Sequence, residues 1–191
     1  MFLFRSHRYT VLPVFTGLAF VKKVTAEALI RHFGLETLPV EGGHFRQTCK
    51  ADETVSIGSE GQEIPLLKPL STAILYLLSA DPDSFSAVHK LPGDEIYHFY
   101  LGDPVELLLL RQDGASEVVT LGHDVLNGHQ IQFAVPAGVW QGCHLVPGGE
   151  FALMGTTMAP GYTDGDYAPG ERHALIRQYP DRAELITLLT R

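Results

Sequence analysis

An all-β sandwich or barrel is the architecture that this sequence predicts, and three observations carry the prediction. Apolar runs of strand length recur at short intervals over Leu70–Ser79, Ile96–Leu101, Val105–Arg111, Val118–Leu121 and Gln130–Val135. The breaks between them contain Asp-Pro, Gly-Asp-Pro, Asp-Gly and Asn-Gly, which favour tight turns. A further run, Phe151–Met158, follows the turn Pro147-Gly148-Gly149. Strands so evenly punctuated by turns belong to sandwiches and barrels.

The elements follow in order. Residues 1–24 look foreign to the rest: Arg5, His7 and Arg8 precede the apolar run 11–21, which has the outline of a signal peptide. Lys22 and Lys23 stand where small residues should mark a cleavage site, and Pro13 and Gly17 interrupt a run too short for the ~20 residues of a membrane span. The reading is a disordered leader, or a start codon placed too far upstream of a single domain over 25–191. Thr25 is an N-cap ahead of the apolar stripe Ala26, Leu29, Ile30 and Phe33, and Gly34 closes this short helix. Leu38–Gly43 is a turn feeding a strand from His44, with Glu41 and Arg46 bracketing the diglycine; Arg46 most simply pairs with Glu41 or another acid. Residues 50–68 read as a polar loop or a hairpin. Pro180-Asp181-Arg182-Ala183-Glu184 is a capping box opening a C-terminal helix.

Several strands are apolar on both faces, notably Ala73–Leu78 and Val105–Leu110. A strand wetted on one side alternates, so the outer faces need a cover, either the terminal helices or a second subunit. A homodimer is the economical expectation, because twofold self-association is the commonest assembly.

Composition narrows the partners. The chain has 191 residues, 45% of them hydrophobic and 19% charged, which suits one folded domain with a full core. Its formal net charge of −8, without a Lys/Arg run, gives no surface for nucleic acid or anionic membrane. Two cysteines, Cys49 and Cys143, make no disulfide framework; reduced thiols in a cytoplasm are expected.

Chemistry concentrates in two segments. His89-Lys-Leu-Pro-Gly-Asp-Glu95-Ile-Tyr-His-Phe-Tyr-Leu-Gly102 is a turn feeding a strand, and Pro136-Ala-Gly138-Val-Trp-Gln141 is a tight turn opening another. Together they resemble the two motifs of the cupin superfamily, H-x-H-x(3,4)-E-x(6)-G and P-x-G-x(2)-H, which place four side chains inside a small β-barrel. His89, Glu95 and Gly102 fall on the first-His, Glu and Gly positions. The second-His position falls on Leu91, or on Lys90 at the longer spacing, and the last His is replaced by Gln141. From about Ala28 to Leu189 the chain resembles an uncharacterised single-domain branch of the cupins, through Glu41–Arg46, Ser71–Tyr76, Asp94–Tyr100, Val135–Gln141 and Leu145–Gly149 among other segments. The resemblance implies a double-stranded β-helix, the cupin jelly roll, with short N-terminal and C-terminal helices. The likeness to the metal-free sugar epimerases of that superfamily is one of fold.

Strand parity sorts the candidates. If Glu95 points into the barrel, Tyr97 and Phe99 do too, while Ile96, His98 and Tyr100 point out. If Gln141 points inward, so does Cys143, and His144 points outward; a β-bulge would reverse either assignment. The inward set is His89, Glu95, Tyr97, Gln141 and Cys143, with Arg46 as a wall of the cavity. His89 and Glu95 are the candidate catalytic pair; Arg46, Tyr97, Gln141 and Cys143 are candidate ligand-binding residues. Three chemistries fit them. A general base and acid can act beside a carbonyl, as in an isomerase or epimerase. An apolar barrel mouth can bind a small molecule without catalysis. His89, Glu95 and Gln141 can also hold a divalent metal weakly, because an amide is a poor ligand; the sequence itself requires no cofactor.

Overall fold

A computed structural model describes residues 23–58 and 66–191. Most of the segment read as a leader lies outside the described residues. Thr25 caps the first helix, α1 (Ala26–Phe33), its Oγ1 accepting the Ala28 N–H at 3.2 Å, and Gly34 ends it at φ 60°. Thirteen strands follow among the described residues. β1 (Glu36–Thr37), β2 (His44–Lys50), β5 (Thr72–Ser79), β7 (Glu95–Gly102), β10 (Gln132–Val135) and β12 (Phe151–Met158) form one sheet, in the order β1-β2-β5-β12-β7-β10. β6 (Ser86–Lys90), β8 (Val105–Leu110), β9 (Ser116–Leu121), β11 (Trp140–Leu145) and β13 (Ala168–Pro169) form the other, in the order β13-β6-β11-β8-β9. β3 (Thr54–Ile57) and β4 (Leu66–Pro69) pair as a separate antiparallel ribbon, the hairpin alternative for the 50–68 segment.

The two sheets make the jelly roll. Their facing sides share one core, built from Tyr76 and Leu78 on β5, Phe99 on β7, Leu107 and Leu109 on β8, and Met154 on β12. The outer faces are covered by the chain's own helices. Ala26 and Leu29 of α1 lie on Leu77 and Leu153 outside the six-stranded sheet. On the other side, α2 (Arg172–Gln178) and α3 (Ala183–Leu188) bring Leu175 and Ile186 against Val88, Leu108 and Leu110. This is why β5 and β8 are apolar on both faces, and those faces therefore do not require a second subunit.

Two elements near the C-terminus depart from expectation. The capping box at Asp181 does not form: Pro180–Arg182 is a 3₁₀ turn, and α3 begins after Arg182 with no side-chain cap. Sequence reading also passed over α2, whose cap is Glu171, accepting from the His173 and Ala174 N–H groups at 3.1 and 2.6 Å. Glutamate is an uncommon cap, and of this helix only Leu175 is buried, so neither a strong cap signal nor a clear stripe announces it. Among the described residues no helix is long and apolar enough to cross a membrane.

Candidate functional site

The placement of His89 depends on a bulge. β11 pairs with β6 as Gln141↔His89 and Cys143↔Ser86, so two residues on one strand separate the paired positions and one on the other. Ala87 and Val88 both pack outward beneath the C-terminal helices, and Ser86 and His89 both turn inward. Gly142 lies opposite; a Cβ there would come within 2.9 Å of the Ser86 carbonyl oxygen, so the bulged strand needs a glycine beside it.

The two motif turns are tied to each other. Asp94 Oδ1 accepts the Ala137 N–H at 2.8 Å, and the Gly138 N–H donates to the Leu91 carbonyl at 2.8 Å. Gly138 takes φ 76°, the left-handed region that glycine enters without penalty. This fixes Glu95, the first residue of β7, next to the start of β11. Gln141 then spans the two sheets: its Nε2 donates to Glu95 Oε2 at 2.7 Å.

Glu95, His89 and Tyr97 line a cavity of about 650 Å³ between the sheets. His89 Nδ1 lies 2.8 Å from the Ala87 carbonyl oxygen, which can only accept; Nδ1 therefore carries a proton, and in the neutral ring Nε2 is the nitrogen with the free lone pair. The ring stacks on Tyr167, with centroids 5.0 Å apart and planes at 22°. Burial lifts the Glu95 carboxyl above its ordinary value; His89 opposes the lift, Glu41 adds to it, and hydrogen bonds from Thr156 and Gln141 oppose it. Tyr97 sits well above the usual phenol value, chiefly through burial and secondly through the Glu95 charge.

The parity assignment holds from Glu95 to Phe99, and a bulge at Tyr100 then turns Leu101 outward toward α1. Arg46 is at the cavity rim, exposed, and its Nη1 donates to the Phe33 carbonyl at 2.7 Å. The expected pairing with Glu41 is replaced by that helix-end contact, and among the described residues Arg46 forms no ion pair. Gln141 is 1% exposed and stands behind Glu95 rather than in the cavity wall. Cys143 is inward, as parity required, but it belongs to the core below the cavity and does not line it. Inward direction and access to the cavity are different properties, because the deep end of the barrel is filled with side chains. Burial also pushes the Cys143 thiol well above its ordinary value.

The sequence reading missed part of the wall. Glu41 lines the cavity and accepts from Ser86 Oγ at 2.9 Å. Tyr162, Asp164 and Tyr167 come from the segment after β12. Two tyrosines within the Gly- and Asp-rich stretch Gly161–Tyr167 were the available signal. That segment is anchored by Asp166, whose Oδ1 and Oδ2 each lie 2.6 Å from Lys68 Nζ, with both side chains nearly inaccessible.

A metal centre does not fit these residues. Leu91, at the position where a second imidazole would stand, lines the cavity as an apolar side chain. Gln141 turns its amide nitrogen toward Glu95, so that face cannot coordinate a cation. Among the described residues no three His, Cys, Asp or Glu side chains converge as a ligand set.

Comparison with known proteins agrees with the geometry. The sequence profile of a family described as Cupin superfamily (DUF985) matches residues 27–168. The chain belongs to the cupin superfamily. This cupin is 28% identical over 159 residues to Uncharacterized protein YML079W of Saccharomyces cerevisiae, covering 78% of each chain. It superposes on the crystal structure of protein SO0799 from Shewanella oneidensis with a TM-score of 0.75 at 26% identity, covering 88% of this chain and 99% of that one. A hypothetical protein from Leishmania major gives a TM-score of 0.77 at 25% identity, covering 87% and 99%. The cupin's bulged β6 and the cavity lined by His89 and Glu95 thus lie in a jelly roll shared over nearly the whole length of both solved chains.

Proposed function

We propose that this cupin binds a hydroxylated carbonyl metabolite and moves a proton on it, as isomerases and epimerases do. The supporting observation is the orientation of His89: with Nδ1 donating to the Ala87 carbonyl, Nε2 is a fixed base in a cavity shared with a buried carboxyl of raised pKa. His89 would take the proton from the carbon beside the carbonyl, and protonated Glu95 would donate to the carbonyl oxygen, giving an enediol. Return of a proton to the former carbonyl carbon, with Glu95 taking the proton of the neighbouring hydroxyl, completes an isomerisation; return to the starting carbon from the opposite face, with Glu95 taking back its proton, completes an epimerisation. Tyr97 and Arg46 are the proposed ligand-binding groups, at the cavity wall and rim, and Gln141 the proposed positioning group for Glu95.

The test is deuterium incorporation. Aldoses and ketoses incubated with the protein in D₂O should gain deuterium next to the carbonyl, and the gain should vanish in both His89→Ala and Glu95→Gln. Incorporation that persists in both variants would remove the proton-transfer reading.

A second reading, binding without turnover, is favoured by the hydrogen bonds that Glu95 already accepts from Gln141 and Thr156. It predicts ligand binding that His89→Ala weakens, with no exchange in any variant. A homodimer and a cytoplasmic setting remain part of the proposal. Ile57, Leu66 and Leu67 on the β3–β4 ribbon are 37%, 53% and 64% exposed, an apolar surface suited to a second copy, and both cysteines are free. Sedimentation at two protein concentrations tests the first, and cell fractionation the second.

A further inference from the structure

Among the described residues, no Lys or Arg lines the interior of the cavity. Below the rim, its carboxyl and imidazole side chains are Glu41, Glu95 and His89. Arg46 is the one Arg or Lys among the described residues of the lining; it is exposed and already donates to the Phe33 carbonyl. Glu36 and Asp164, also exposed, add two carboxylates at the same rim. A phosphoryl group brings ~1.5 to 2 negative charges and calls for several strong donors, which this wall does not provide.

Separate observations point to a donor-bearing ligand. Glu41 Oε1 is held by Ser86, leaving Oε2 for a ligand. Phe45, Tyr162 and Tyr167 contribute aromatic rings to the wall, and a cation over such a ring is attracted to its face.

Resting on the reading of this cavity as the working site, we infer that its ligand is a hydroxylated molecule carrying a protonated amine and no phosphoryl group, with the amine paired to Glu41. The Glu41 carboxylate would then be neutralised by the ligand's amine, and phosphorylated or nucleotide-linked sugars would be rejected at the rim.

Matched probes test this with the full chain. Glucosamine, glucose and glucose 6-phosphate, and the corresponding mannose trio, differ in charge on one ring; binding is read by titration calorimetry at low salt. The amines should bind at least tenfold more tightly than the neutral sugars, and the phosphates should not bind. Glu41→Gln should remove most of that preference and Glu41→Asp should keep it, which separates a charge effect from a folding defect. Equal affinity for amine and neutral sugar, no binding by either amine, or phosphates binding as well as amines would each overturn the inference. Deuterium exchange distinguishes this failure from that of the proton-transfer reading: neutral sugars that exchange without an amine preference would sink the charge inference alone, and amines that bind without exchanging would sink the isomerase alone.

Discussion

Gln141 reaches from the five-stranded sheet to Glu95 on the six-stranded sheet, its Nε2 donating to Oε2 at 2.7 Å, with both side chains more than nine-tenths buried. The pair closes the floor of the cavity and couples the two motif segments.

Introducing imidazoles at the two departures from the cupin pattern should create a metal site. Leu91 lines the cavity on the same strand side as His89, and Gln141 pairs with His89 across β6 and β11. The double variant Leu91→His with Gln141→His should bind manganese or nickel near one equivalent, measured by mass spectrometry after gel filtration. Loss of that metal on adding His89→Ala would confirm the ligand set; no metal in the double variant would contradict the assigned geometry.

Glu95→Gln should stabilise the protein at neutral pH. The folded-state pKa lies above the ordinary 4.5, so the native state holds this proton more tightly than the unfolded chain does. Stability from this group is fully present below that ordinary value and falls as pH rises through the folded pKa. The glutamine variant mimics the protonated form and has no such loss. Its Tm should match wild type near pH 4 and exceed it near pH 8, by about 2–4 °C for each kcal/mol of difference; an equal Tm at both pH values would contradict the shift.

Lys68→Met should cost roughly 3–5 kcal/mol in urea unfolding, because it leaves the Asp166 carboxyl buried without its partner. Since Asp166 Oδ2 also accepts from the Thr163 N–H at 2.7 Å, hydrogen exchange should rise across 161–168 in the same variant. A change below ~1 kcal/mol would mean that water reaches the pair.

Thiol titration should find one reactive cysteine in the native protein and two in denaturant. Cys49 is exposed, and Cys143 is fully buried with its thiol pushed up by burial and by the charges of Glu41 and Glu95. Two native thiols of equal rate would place Cys143 at an accessible surface.

Much of this was legible in the chain. The run Phe151–Met158 coincides with β12, and Thr25 and Gly34 bound α1 as their capping chemistry requires. The inward direction of Glu95, Tyr97, Gln141 and Cys143 followed from the two-residue period of a strand. What escaped was set by long-range packing. Glu41 faces the cavity because its carboxylate meets Ser86, a residue 45 positions later, and Arg46 turned instead to the end of α1. Tyr167 became part of the site by folding back over His89 through the short β13–β6 pairing, for which the sequence offers only a two-residue strand containing a proline.

The bulge in β6 makes the site a matter of counting as well as of residue type. A regular strand of unchanged length held at Ser86 would send the imidazole out under α2 and α3 and bring Lys90 in, whereas removing one residue between Ser86 and His89 would erase the bulge and leave His89 facing inward. Scanning by substitution cannot sample this dependence. Single-residue deletions along 86–90 can: one taken from between Ser86 and His89 should keep the imidazole in the cavity.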